Sequence, residues 1–388
     1  MRSVPDSTTH PRRSVAARAS LAAFARQERF LAVSVASALA FLLAGDALLA
    51  DLSQPLWLLL MFVWLFAAIL GSALAAVRHA DELAQRLGEP YGTLILTLSV
   101  TVIEAVSISA LMMHGGSDPT PVVRDTIFAV IMLLMNGLIG ASLLLGGWRH
   151  REQTYNLQGA NAYLGVIIPL AMMSLILPDF TRTTPGPTLS HTQEWVLSFM
   201  SFGLYGAFLA IQTGRHRGFF TADAAEQAGA EPRAGGAPAR PWYHALLLLA
   251  YMAPLVYLAE RLAMPLDYMI NSWGAPAAIG GVAIATLVAT PEALGAIRAA
   301  RANHLQRCVN ILMGSVLSTI GLTIPTMLLV SHFTGRHLVL GVEHTDFALL
   351  LLTLFLSVVT FGSGRTNVLQ GIVHLLLFVS YVLLIFQG

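Results

Sequence analysis

Apolar stretches close to twenty residues long recur through this chain, and they leave it one kind of fold. A stretch of that length crosses the hydrocarbon core of a bilayer as a helix. In lipid, only segments that satisfy their own backbone hydrogen bonds persist. We read eleven spans, at about 30–50, 55–77, 92–114, 124–147, 161–180, 193–213, 243–263, 274–298, 308–331, 345–362 and 367–387. Charged residues are 11% of the 388, against roughly 25% in a soluble domain. The expectation is an all-α polytopic membrane protein whose main partner is the lipid bilayer. A net charge of +1 gives no nucleic-acid footprint. The single Cys308 excludes an internal disulfide and reads as small apolar filler.

Arginine sets the orientation. Of the 22 basic residues, all arginine, only Arg124, Arg182, Arg261 and Arg336 fall on one side of an eleven-span layout. The positive-inside rule puts the majority, and the N-terminus, in the cytoplasm. The arm ahead of the first span is long for a cleaved signal peptide. Residues 214–242 are polar and rich in Ala, Gly and Pro, which reads as a flexible cytoplasmic linker. The organisation expected is an Arg-rich arm (1–29), one extra helix (30–50), a five-helix set (55–213), the linker (214–242) and a second five-helix set (243–388). Five is odd, so the second set enters the membrane inverted. Inverted repeats are an architecture of transporters that bind near the midplane.

Two acids stand inside apolar runs, Glu104 in the second helix of the first set and Glu292 in the second helix of the other. An acid within the membrane is a functional-site hypothesis by default. Thr97, Thr101 and Ser107 share the helical face of Glu104, where hydroxyls could ligate a cation or bond back to the helix. Pro291 precedes Glu292 and frees the carbonyl of Leu287, and Thr290 before it is a further candidate supporting ligand. Arg298 could pair with Glu292 or snorkel toward the interface beside Arg301 and Arg307; we favour the second. The following helix of each set supplies Asn136, Ser315, Ser318 and Thr319 as supporting groups. A buried amide such as Asn136 costs free energy unless bonded, and interhelical bonding is its simpler role. His374, in the last span, is a packing residue or a proton relay. Asp125, Glu260, Glu343 and Asp346 lie near span ends, where solvation is cheap. Asp81, Glu82, Arg86 and Glu89 read as a solvated face leading into the third helix.

These residues resemble the calcium/cation antiporter superfamily in its cation/proton exchanger branch, nearest to bacterial sodium(potassium)/calcium–proton antiporters. The likeness lies in HADELAQRLGEPYGTLILTLSVTVIEAVSISALM (79–112), RDTIFAVIMLLMNGLIGASLLLGG (124–147), ATPEALGAIRAARANHLQRCVNILMGSVLSTIGLTIP (289–325) and GRTNVLQGIVHLLLF (364–378). The arm and linker carry none of it. The resemblance implies one extra helix, two inverted five-helix repeats and a bacterial inner membrane. It also implies cation-binding repeat acids at Glu104 and Glu292. Family motifs of the Gly-Asn-Ala-Thr-Glu kind are here Val-Thr-Val-Ile-Glu (100–104) and Val-Ala-Thr-Pro-Glu (288–292). The acids survive and the Gly-Asn pairs do not, which points to relaxed calcium selectivity.

Calcium takes six to eight oxygens in irregular geometry. Two carboxylates with hydroxyls, carbonyls and water can supply them. Without a cation, two nearby buried carboxylates cannot both stay ionised, and at least one takes a proton. Cation and proton then compete for the same oxygens. The cargo is Ca2+, Na+ or K+, and H+; no cofactor is expected, and the oligomeric state is open. A channel or uniporter using the same acid pair is the alternative. An enzyme is not expected, since no His-Glu-x-x-His helix or Gly-x-Ser-x-Gly elbow is present.

Overall fold

The computed structural model describes residues 28–87, 91–114, 120–220, 241–276 and 278–387. The apolar runs form helices α1 (Arg29–Leu48), α2 (Pro55–Leu87), α3 (Tyr91–His114), α4 (Thr120–Met132), α5 (Ile139–His150), α6 (Leu157–Ala171), α7 (Leu177–Phe180), α8 (His191–Thr213), α9 (Pro241–Trp273), α10 (Ala278–Arg301), α11 (Leu305–Ser318), α12 (Ile324–Thr334), α13 (His344–Thr360) and α14 (Val368–Gln387). Single π-helical turns join α4 to α5 (Leu133–Leu138), α6 to α7 (Met172–Ile176) and α11 to α12 (Thr319–Thr323). The described residues therefore make eleven continuous rods, matching the eleven expected spans. Nine are at least 18 residues long and apolar enough to cross a bilayer. The other two are α13 and α3, of which 98–109 is the apolar part found.

Local chemistry explains the breaks. Ser190 begins α8 with a capping box, its hydroxyl and Gln193 satisfying each other's backbone N–H groups. The Asn156 side chain accepts from the amides of Gln158 and Gly159 to start α6. Gly335 ends α12 in the left-handed region at φ 68°, a conformation costly for residues with a Cβ. Pro325 has no N–H to give Gly321, and the π turn Thr319–Thr323 lies where that bond is missing.

The structure differs from the sequence reading at several edges. α2 continues through 78–87 as helix, where a solvated lead-in was expected, and α9 runs ten residues beyond 263. A three-residue ribbon, β1 (Glu152–Thr154) antiparallel to β2 (Arg365–Asn367), joins the loops after α5 and α13 in an otherwise helical chain. The packed chain also passes 214. Arg217–Phe219 forms a 3-10 turn, and Phe220, 7% exposed, stands edge-on against Tyr163 and Phe208. Expectations for 1–27, Glu89 and the linker over 221–240 lie outside the described residues, as do the side chains of Asp81, Arg86 and Thr97.

The rods Pro121–His150 and Leu305–Thr334 have 78% of their apolar window buried, against 22% for α1 and α14. The third helix of each set is thus the centre. Leu43, Phe199, Phe333 and Phe355 are among many exposed large apolar side chains. Such a surface suits lipid and not water.

Candidate cation site

Glu104 stands mid-helix in α3, which packs against α10, α11, α12 and the π turn between the last two. Its carboxyl therefore meets the second helix set and not lipid. Glu104 is 2% exposed. Thr319 Oγ1 donates to Oε1 at 2.9 Å and to Oε2 at 3.1 Å, and Thr323 Oγ1 donates to Oε2 at 2.8 Å. The two threonines open and close the π turn, four residues apart and on one face.

Glu292 lies on α10 one residue beyond Pro291, which sits inside the helix and leaves Leu287 O without its usual amide donor. The residue is half-buried, but its Oε2 is buried and has no hydrogen-bond partner among the described residues. Ser315 and Glu104, both buried, lie close enough to act on its carboxyl. Thr101, one turn from Glu104 on the same face, also buries an oxygen without a partner. Buried oxygens rarely go unpaired in native structures. Here a carboxylate oxygen and a hydroxyl do so on the two acid-bearing helices. The structure thus puts Glu104 and Ser315 near Glu292, with Thr101 one turn from Glu104 on α3.

Other expected residues go elsewhere. Ser107 donates to Ile103 O at 2.8 Å, Thr290 to Thr286 O at 2.5 Å and Ser318 to Ser315 O at 2.8 Å. Each spends its proton on its own helix. Asn136, wholly buried in the π turn Leu133–Leu138, donates to Thr353 Oγ1 at 2.7 Å. Its Oδ1 lies 3.2 Å from His374 Nδ1, and His374 Nε2 lies 3.0 Å from Thr360 Oγ1. Asn136 and His374 thus tie α13 and α14 to the central rod, and none of these bonds reaches either acid. Arg298 is exposed, as the snorkelling reading expects. Asp125 is not simply solvated: Arg124 bonds it at 2.7 Å and reaches Glu343 at 3.1 Å.

Thr323 was absent from the sequence reading, and Thr319 entered it only as a supporting group. The signal was available, since two threonines four apart precede a proline on the helix that follows the second acid.

Glu104, buried, and Glu292, half-buried, thus lie near each other on helices of the two sets of a polytopic chain. The chain belongs to the sodium/calcium exchanger family, whose model matches residues 57–214 and 243–387. The match omits the arm, the first helix and all but residue 214 of the linker, the arm and linker being segments that carried no resemblance. The chain is 41% identical over 314 residues to the putative ionic transporter y4hA of Sinorhizobium fredii, covering 81% of this chain and 85% of that one. It is 39% identical over 320 residues to the sodium-potassium/proton antiporter ChaA of Escherichia coli, covering 82% and 86%. The solved structure of the Ca2+/H+ antiporter YfkE shares its fold, with a TM-score of 0.71 at 18% identity over 92% of this chain and 100% of that one. The chain is a multi-pass membrane protein of the cation-exchange class, and these relatives are named as a transporter and an antiporter.

Proposed function

We propose that this chain exchanges cytoplasmic Ca2+, together with Na+ or K+, for external protons, and that Glu104 and Glu292 carry either load. The observation that supports this most is the convergence of the two acids, one from each set, on hydroxyls of the second set's central rod. Glu104 and the Oε2 of Glu292 are buried, and the charge of Glu104 acts on Glu292. A cation neutralises them together; without one, protons must. If only a neutralised site can change the side it faces, uptake of protons is coupled to release of cation. Rocking of one helix set against the other follows from the inverted-repeat architecture.

The breadth of substrate rests on two things. The amides of the family motif are replaced by apolar or hydroxyl residues, and a relative at 39% identity is named for sodium, potassium and protons. The test is proton release from inverted vesicles on addition of Ca2+, Na+ and K+ in turn. Each cation should elicit release, and Glu104→Gln and Glu292→Gln should each abolish it while the protein stays in the membrane. Near-normal exchange in either variant would falsify the two-acid reading. Cation flux that persists at full rate after the proton gradient is collapsed would instead make this chain a channel.

A further inference from the structure

A second buried ionisable cluster lies at the arginine-rich ends of α1, α2 and α9, and exchange as described makes no use of it. α2 and α9 are the first helices of the two sets, and their pairing is the most extensive among the described residues. Glu28, His79, His244 and Tyr251 are all buried there. Glu28 Oε2 accepts from Arg78 Nη2 at 2.7 Å and from Tyr251 OH at 2.9 Å, and lies 3.1 Å from His79 Nε2. Its Oε1 is buried with no hydrogen-bond partner among the described residues. His79 Nδ1 lies 3.1 Å from His244 Nδ1. The other charged or titratable groups facing the pair are Arg78 and Glu82 on α2 and Tyr243 and Tyr251 on α9. α3 and α10 also pack on these helices, and among the described residues none of their charged groups acts on His79.

The geometry limits how many protons the pair can hold. His79 Nε2 lies 3.1 Å from Glu28 Oε2 and 3.3 Å from Arg78 Nη2; where it donates to the carboxylate it carries its hydrogen. A neutral His79 then has a bare Nδ1, and His244 must donate to it. A charged His79 donates from Nδ1, and His244 must accept. An N···N contact of 3.1 Å holds one proton. With both rings charged, two N–H groups and two positive charges would oppose each other. Imidazole takes up protons close to neutrality, so this limit falls within a physiological range.

We propose that the His79–His244 contact is a proton-sensitive latch between the first helices of the two sets, opening when the arginine-rich side is acidified. Its effect on transport rests on the exchange reading above: protons accumulating on that side release α2 from α9 and slow further proton entry.

His244→Asn tests it, because the amide donates from nearly the same place and cannot take up a second proton. In inverted vesicles the arginine-rich side faces the medium. As the medium goes from about pH 7.5 to about pH 5.5, exchange by the unmodified chain should fall steeply, and that of His244→Asn should keep at least about half its rate. A labelling experiment needs no transport. Ala80→Cys, next to His79 and wholly buried, is placed in a Cys308→Ser chain. Its thiol reaction rate is divided by that of the denatured chain at the same pH. That ratio should rise about ten-fold with acidification and stay flat when His244→Asn is added. No rise in the chain with both histidines overturns the latch, even if His244→Asn does not fold. A rise in both chains overturns the role of His244. An unchanged exchange profile in His244→Asn overturns the regulation. A latch that opens in a chain with no exchange at all leaves the latch standing and removes the proposed function.

Discussion

At the residue scale, a carboxylate held by two threonine hydroxyls binds differently from one in bare hydrocarbon. Thr319 and Thr323 orient Glu104 and bond to its charged form. A hydrogen bond to a charged group contributes about 1.5–3 kcal/mol, so Thr319→Val and Thr323→Val should each weaken apparent cation affinity by about ten-fold or more. Ser318→Ala should change it little, because that hydroxyl serves Ser315 O. Cation titrations of proton release give all three values; wild-type affinity in both valine variants would remove the threonines from the site. The acids were legible in the sequence because an acid in an apolar run has no cheap structural explanation. The hydroxyls were not separable. Thr319 and Ser318 are neighbours of similar chemistry, yet one reaches across to α3 and the other back to its own helix. Glu28 was hidden differently: it sits at the edge of an arginine-rich arm, and only the fold places it beneath Tyr251.

At the element scale, close approach of helices is what lets the acids meet. A Cβ built on Gly281 of α10 would lie 2.9 Å from the backbone N and Cα of Thr126 in α4. Backbone cannot step aside as a side chain can, and overpacking typically costs about 1–3 kcal/mol. Gly281→Val should therefore lower the thermal midpoint in detergent and reduce the folded fraction. Gly203→Ala in α8, with nothing within 4 Å of its built Cβ, should match the parent or exceed it by about 1 kcal/mol through helix propensity. Equal midpoints for parent and Gly281→Val would show that α4 and α10 are free to move apart. Small-residue patterns made such contacts legible as a class, but not which glycine meets which helix. The span edges were legible where apolar residues stop. They failed for α2 and α9, whose last turns are polar enough to look like loop. Two of the π turns left only a nearby proline as a trace in the sequence and Leu133–Leu138 left none, and the ribbon of β1 and β2 is too short for any alternating pattern to register.

At the scale of the whole molecule, the two sets match in the lengths of their opening helices. α2 and α9 each have 33 residues, α3 and α10 each have 24, and the central rods have 31 and 30. The order of the apolar runs and the position of each acid in its set were legible, but the equal lengths of α2 and α9 were not, because their last turns look like loop. What joins the sets is not the linker alone. His79 meets His244, Gln153 donates to Ala300 O at 2.8 Å, and Asn310 donates to Phe220 O at 2.6 Å. Contacts of this kind hold the halves in register independently of the chain between Phe220 and Pro241. The composition of 225–239, AEQAGAEPRAGGAPA, contains no apolar period that could pack. Removing about ten of these residues changes the loop-closure term by only about 0.6 kcal/mol per halving of length. The shortened chain should therefore keep its apparent cation affinity within a few-fold, measured by cation-dependent proton release at matched expression. A large loss of affinity at normal expression would assign Glu226 or Glu231 a cation-sensing role in this segment, and exchange would then depend on the linker as well as on the helix sets.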